Sequence, residues 1–208
     1  SLPVDGPNSG LLLVESIDNP DDKDDFRIGD EISIDVTVEN KENKNMDVVV
    51  EAILYNLDRN DKVWSQESDS IKIPKDSKED FSLIMNVEND KNLDPSDAYI
   101  LYIKAFEDGD EDKYCNYDNI DLNLDRDDDD VMINSVTVTP VVSQGEILSF
   151  SVSVENIGTD VQNDAYIKIR NTEIGLDLTS PIFDLKAYDK SGNDRTEPFT
   201  FTIPANAV

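Results

Sequence analysis

Asp108, Asp110 and Asp112 alternate through Asp108-Gly109-Asp110-Glu111-Asp112, a spacing that suits a turn presenting hard oxygen donors to one cation such as calcium. The run lacks the twelve-residue frame and closing Glu of an EF-hand, so it fits a solvated turn as well. A second acidic run, Asp127-Asp128-Asp129-Asp130, sets four carboxylates side by side. Their repulsion falls if cations collect there, and a calcium ion between consecutive domains would stiffen the joint. Without a cation the same run reads as a flexible acidic linker. Calcium is the one cofactor these residues suggest.

Catalytic chemistry has little to work with. The chain has no histidine, which removes Ser-His and Cys-His nucleophile pairs and every imidazole metal ligand. A carboxylate pair could run glycoside hydrolysis, but among 47 Asp and Glu residues chance pairs arise everywhere. No enzyme activity is expected. Cys115 is the single cysteine, so no intrachain disulfide staples the fold. The acidic neighbours Asp112 and Asp118 disfavour its thiolate. Trp64, Tyr102, Tyr114 and Tyr117 offer either an aromatic binding surface or ordinary packing.

A formal charge of −29 repels nucleic acid and anionic lipid. Residues 1–126 carry −20 of it and residues 127–208 the other −9. No apolar stretch is long enough to span a bilayer, and no Asn-x-Ser/Thr sequon occurs. Beginning at Ser1 rather than Met, the chain reads as a processed product or an excised piece.

The elements that must hold these residues are strands. Apolar and polar residues alternate with a period of two, turn residues intervene, and no helical period appears. Glu31 to Glu39 places Ile32, Ile34, Val36 and Val38 on one face; Glu146 to Glu155 does the same with Leu148, Phe150, Val152 and Val154. Seven strands are predicted in the first half: 11–17, 31–39, 47–57, 62–68, 80–87, 98–106 and 117–125.

These strands belong to an internal repeat. Gly29 and Gly145 lie 116 residues apart, as do Val36-Thr37-Val38-Glu39-Asn40 and Val152-Ser153-Val154-Glu155-Asn156. Asp47-Val48-x-Val50-x-Ala52 aligns with Asp164-Ala165-x-Ile167-x-Ile169 at 117, and Phe81-x-Leu83-x-Met85 with Phe199-x-Phe201-x-Ile203 at 118. The pattern predicts an all-β chain of two tandem immunoglobulin-like β-sandwich domains, 1–126 and 127–208. Counterparts of the last two strands fall near 216–243, beyond Val208, so the second sandwich lacks them within this chain. Two completions are open: continuation of the polypeptide, or a strand from a neighbouring subunit, with Leu11-Leu12-Leu13-Val14 as a candidate donor.

The Gly-Asp/Glu-Ile opening, the VTVEN and VSVEN strands, the DVVVEA strand and the late FTFTIP strand resemble CARDB-like immunoglobulin modules, in particular those of acidic archaeal putative S-layer and cell-surface proteins. The resemblance implies an extracellular, cell-surface location and a non-catalytic structural role, with self-association or neighbouring surface-protein domains as partners. It leaves two other roles open. One is a filament subunit assembled by donor-strand exchange; the other is an adhesin or carbohydrate-binding accessory module.

Overall fold

The computed structural model describes residues 10–89, 93–111, 113–139 and 141–205. Among them every regular element is a strand. The chain divides into two units, Ser1–Asp125 and Arg126–Val208.

Unit 1 contains β1 (Leu12–Asn19), β2 (Asp25–Phe26), β3 (Glu31–Asn40), β4 (Met46–Asn56), β5 (Asp61–Glu67), β6 (Ile71–Ile73), β7 (Ser77–Asn86), β8 (Tyr99–Glu107) and β9 (Cys115–Leu124). The period-two pattern has the expected consequence in β3: Ile34, Val36 and Val38 are buried, while Asp35 and Thr37 point the other way. On that outer side the Thr37 hydroxyl bonds Asp18 and Asp80, and Asp35 accepts from Ser33 and Ser82. Two sheets result, β1-β3-β7 and β2-β9-β8-β4-β5, with β6 pairing the start of β4 on the same edge as β5. They meet where β1 touches β8 and β9, and where β7 touches β5 and β6, a sandwich-like arrangement. Val50, Ala52 and Leu54 of β4 and Leu101 and Ile103 of β8 are fully buried from the second sheet. Each large aliphatic side chain so removed from water contributes about 1.5–3 kcal/mol.

Unit 2 contains β10 (Val131–Val138), β11 (Ile147–Asn156), β12 (Gln162–Ala165), β13 (Lys168–Asn171), β14 (Leu176–Thr179), β15 (Phe183–Leu185) and β16 (Asp194–Thr202). β10, β11 and β16 form one antiparallel sheet; β12 pairs β15, and β13 pairs β14. Its core is Val152, Val154, Ile167, Leu185 and Phe199, with Phe150 stacked on Phe199 at 5.3 Å between ring centroids.

The repeat extends to hydrogen bonds that no alternation reveals. Asn40 and Asn156 end β3 and β11 with fully buried side chains. The Asn40 amide donates to the carbonyls of Lys44 and Ile73, and its oxygen accepts from the Glu42 N–H; Asn156 does the same with Asp160, Lys186 and Gly158. Ser68 clamps Val50 through its own N–H and its hydroxyl oxygen, as Ser180 clamps Ile167. Even the bulge after Val14 in β1 recurs after Ile133 in β10. Thus β10, β11 and β16 correspond to β1, β3 and β7. The ladders β12-β15 and β13-β14 correspond to β4 with β6 and β5. Among the described residues unit 2 has no counterpart of β8 and β9.

Three sequence expectations need correction. The last aligned strand is two residues out: Val36 pairs Phe81 while Val152 pairs Glu197, so β16 keeps the offset of 116 that β11 has, and Phe199 answers to Leu83. A slip of two keeps every side chain on its own face, which is why alternation missed it. Leu11-Leu12-Leu13-Val14 is no donor, because Leu12 and Val14 are buried in their own unit and paired with β3. Finally, β2 and β6 were not anticipated, being too short to alternate.

Candidate functional site

The acidic turn joins β8 to β9. Gly109 takes φ of 81°, a left-handed geometry that suits glycine. The Asp108 N–H donates to Asp47 O, and Asp110 O accepts from the N–H groups of Lys113 and Tyr114. Asp108 and Asp110 are exposed, and Asp112 lies outside the described residues. Cations of the chain itself gather here. Lys44 bonds Glu107 at 2.8 Å, both Lys44 and Lys113 lie over the Tyr114 ring, and Lys104 pairs with Glu111. The hydrogen bond to Glu107 holds the Lys44 ammonium above its usual range. Among the described residues no three His, Cys, Asp or Glu side chains converge on a metal position.

Asp127, Asp128, Asp129 and Asp130 are tied down through their backbone. Asp127 O accepts from Thr159, Asp128 O from Asp160, and Asp130 O from both Ile157 and Gly158. Their side chains add to this: Asp128 accepts from the Thr159 hydroxyl at 2.7 Å and Asp129 from the Gln162 amide at 2.8 Å. A Cβ on Gly158 would stand 2.6 Å from Asp128 O and 2.7 Å from Asp130 N, so only glycine lets the two segments approach this closely. Buried Arg126 donates to Ile157 O and stacks on Tyr188 at 4.2 Å, bringing one positive charge to the start of the acidic run. The run that suggested a flexible linker is therefore a bound approach to β10. The two acidic segments sit in different units.

The aromatic residues separate too. Tyr102 packs with Ile53, Tyr55 and Ile100 on the side of the β4–β8 sheet away from the core, and desolvation there raises its pKa. Trp64 lines an open cleft of about 490 Å³ with Asn56, Arg59, Lys62, Asn86 and Glu88. Arg59 and Asn56 in that cleft are engaged by Asp97 at 2.8 Å. Cys115 is buried at the start of β9.

Sequence reasoning missed Asn40, Asn156 and Glu51. The two asparagines had a signal, the Val-x-Val-Glu-Asn string occurring twice. Glu51 had none. It sits mid-strand on β4, opposite Lys104 on β8 and Glu67 on β5, and burial followed by the Glu67 charge raises its pKa.

No family model matches the chain. No curated protein matches it either. Among solved structures it is similar to red sea bream transglutaminase at 11% identity and a TM-score of 0.34, over 91% of this chain and 26% of that one. It is also similar to a putative β-galactosidase from Bacteroides fragilis, at 15% identity and a TM-score of 0.37, over 66% of this chain and 18% of that one. A third likeness is to the sporulation control protein Spo0M of Bacillus subtilis, at 9% identity and a TM-score of 0.36, over 64% of this chain and 63% of that one. The chain thus spans about a quarter or less of the first two proteins and under two thirds of the third.

Proposed function

We propose that the chain is a non-catalytic structural module of a cell-surface, S-layer-type protein, its two units being tandem immunoglobulin-like sandwiches of the CARDB-like kind found in archaeal envelopes. The observation that carries this reading is the repetition of one β framework, down to the Asn40 and Asn156 plugs and the Ser68 and Ser180 clamps. Modules in series, each with its own core, keep spacing in an extended assembly. A charge of −29 keeps such units apart except where a specific contact or a cation bridges them. The partners implied are neighbouring surface domains and further copies of the same chain. Electron microscopy of the native envelope, with antibodies raised against the folded chain, tests this reading. Regular label on the outer surface supports it; label confined to the cell interior overturns it.

A further inference from the structure

Equivalent strands in the two units are covered very differently. Leu12 at the start of β1 is 0% exposed, whereas its counterpart Val131 in β10 is 43% exposed. Val14 is 9% exposed and its counterpart Ile133 is 65% exposed. Val136 and Val138 follow on the same side of β10, opposite Val152 and Phe150, and are exposed as well. With Phe150 and Phe199, Val138 borders an open cleft of about 600 Å³. In unit 1 this position is filled. β8 and β9 lie against β1, and Asn116 of β9 accepts a hydrogen bond from the Val14 N–H at the bulge, at 2.8 Å.

The missing cover also has an edge to sit on. β8 pairs β4 from Val48 to Asn56, on the side away from β5 and β6. In unit 2 the corresponding strand is broken into β12 and β13, with Asp164 at φ of 57° in β12, close to the break, and its described partners β15 and β14 occupy only the β6 and β5 side. An unpaired strand edge beside an apolar face attracts another strand. A second copy stacked on that face would cover the valines and leave the edge open.

We propose that unit 2 is an acceptor for a β-hairpin of the β8–β9 type, whose first strand adds antiparallel to β13 and whose second covers Val131, Ile133, Val136 and Val138. Charge sharpens the occupant. Glu51 of β4 faces Lys104 of β8, and the position of Glu51 is taken in unit 2 by Lys168. The incoming strand therefore carries an acidic residue where β8 carries Lys104. This acceptor role holds whether or not the chain sits in a surface lattice.

The test adds a synthetic peptide of residues 98–125, carrying Cys115→Ser to prevent oxidation, to the isotope-labelled 208-residue chain. Saturable binding is expected, with amide shifts concentrated in β10 and β13. A peptide that also carries Lys104→Glu binds about threefold tighter, the size of a cross-strand charge effect. Ile133→Asp with Val136→Asp in the chain, both at exposed positions, weakens binding by about tenfold or more while the rest of the amide spectrum stays folded. Four outcomes overturn the proposal: no saturable binding to a folded chain, shifts confined to unit 1, equal affinity for both peptides, or self-association through β10 that the peptide does not compete away.

Discussion

Unit 1 and unit 2 share their framework and differ in what closes it. β3 and β11 make the same pairings, end on the same buried asparagine and are preceded by the same glycine turn, in which the Gly29 and Gly145 N–H groups donate to Val87 O and Ile203 O. Along β3 Ile34, Val36 and Val38 are all buried; along β11 burial holds at Val154 and Val152, but Phe150, the counterpart of Ile34, is only half-buried. The local sequence is nearly the same, so the difference comes from the second sheet. A framework strand is buried only as far as its opposing sheet extends, and the alternating pattern specifies the face without guaranteeing the cover.

The sharpest way to break this comparison is to truncate one residue on each side of it. Leu12→Ala leaves a cavity in a closed core and is expected to cost about 3 kcal/mol, whereas Val131→Ala at the counterpart is expected to cost under about 0.5 kcal/mol. Trp64, the single tryptophan, lies in unit 1 and reports that unit alone, while circular dichroism reports both. Equal costs in urea titrations followed by both signals would remove the asymmetry.

Shared features should fail alike. Asn40→Ala and Asn156→Ala each strand buried backbone groups that the amide now satisfies, and each is expected to cost about 2–3 kcal/mol in its own unit. A large loss in only one unit would mean that the two plugs are alike in geometry but not in energy. Gly158→Ala separates the units again. It forces a methyl into Asp128 O and Asp130 N and is expected to cost about 2 kcal/mol in unit 2, while Glu42→Ala at the matching place in unit 1 is near neutral. Hydrogen exchange at Thr159 and Asp160 would show whether the acidic segment has detached.

Much of this was legible in the sequence, for reasons that particular residues make plain. Seven strands of unit 1 lie within three residues of where alternation put them, because Val36, Val38, Leu83 and Met85 are buried on one side only. β4 was harder to place by face, since Val49, Ile53 and Tyr55 are buried on its outer side as well. The acidic run at 127–130 was misread as free because charge is visible in a sequence and the carbonyls that bind Thr159, Asp160, Ile157 and Gly158 are not. The pairing of Lys44, Lys104 and Lys113 with the 107–114 turn was equally hidden, as it joins residues from separate strands and turns.

Cation dependence gives a smaller test of the same contrast. At matched ionic strength, calcium is expected to raise the melting temperature by about 2 °C, through carboxylates not already neutralised by lysine. The effect should be larger in unit 2, where four consecutive aspartates follow the single cation Arg126 in the sequence. Melting curves that coincide in calcium and chelator would remove both acidic segments as cation sites.

The smallest effect has the clearest sign. Folding places Glu51 among Ile53, Tyr55 and the rest of the outer sheet face, and burial together with Glu67 raises its pKa above the ordinary 4.5. A carboxyl that holds its proton more tightly when folded takes up a proton on folding between the ordinary and the raised value. Its contribution to stability is therefore greatest below the ordinary pKa and is lost as pH rises through the raised one. At neutral pH Glu51→Gln removes that penalty and is expected to stabilise unit 1 by less than about 1 kcal/mol. The gain should shrink to nothing as pH falls below the ordinary carboxylate range. Lys168 stands at the same place in unit 2, so Lys168→Gln serves as the comparison variant. Urea titrations of both variants at pH 7 and at pH 4 decide the matter: a Glu51→Gln gain that persists at the lower pH would assign its effect to packing rather than to charge.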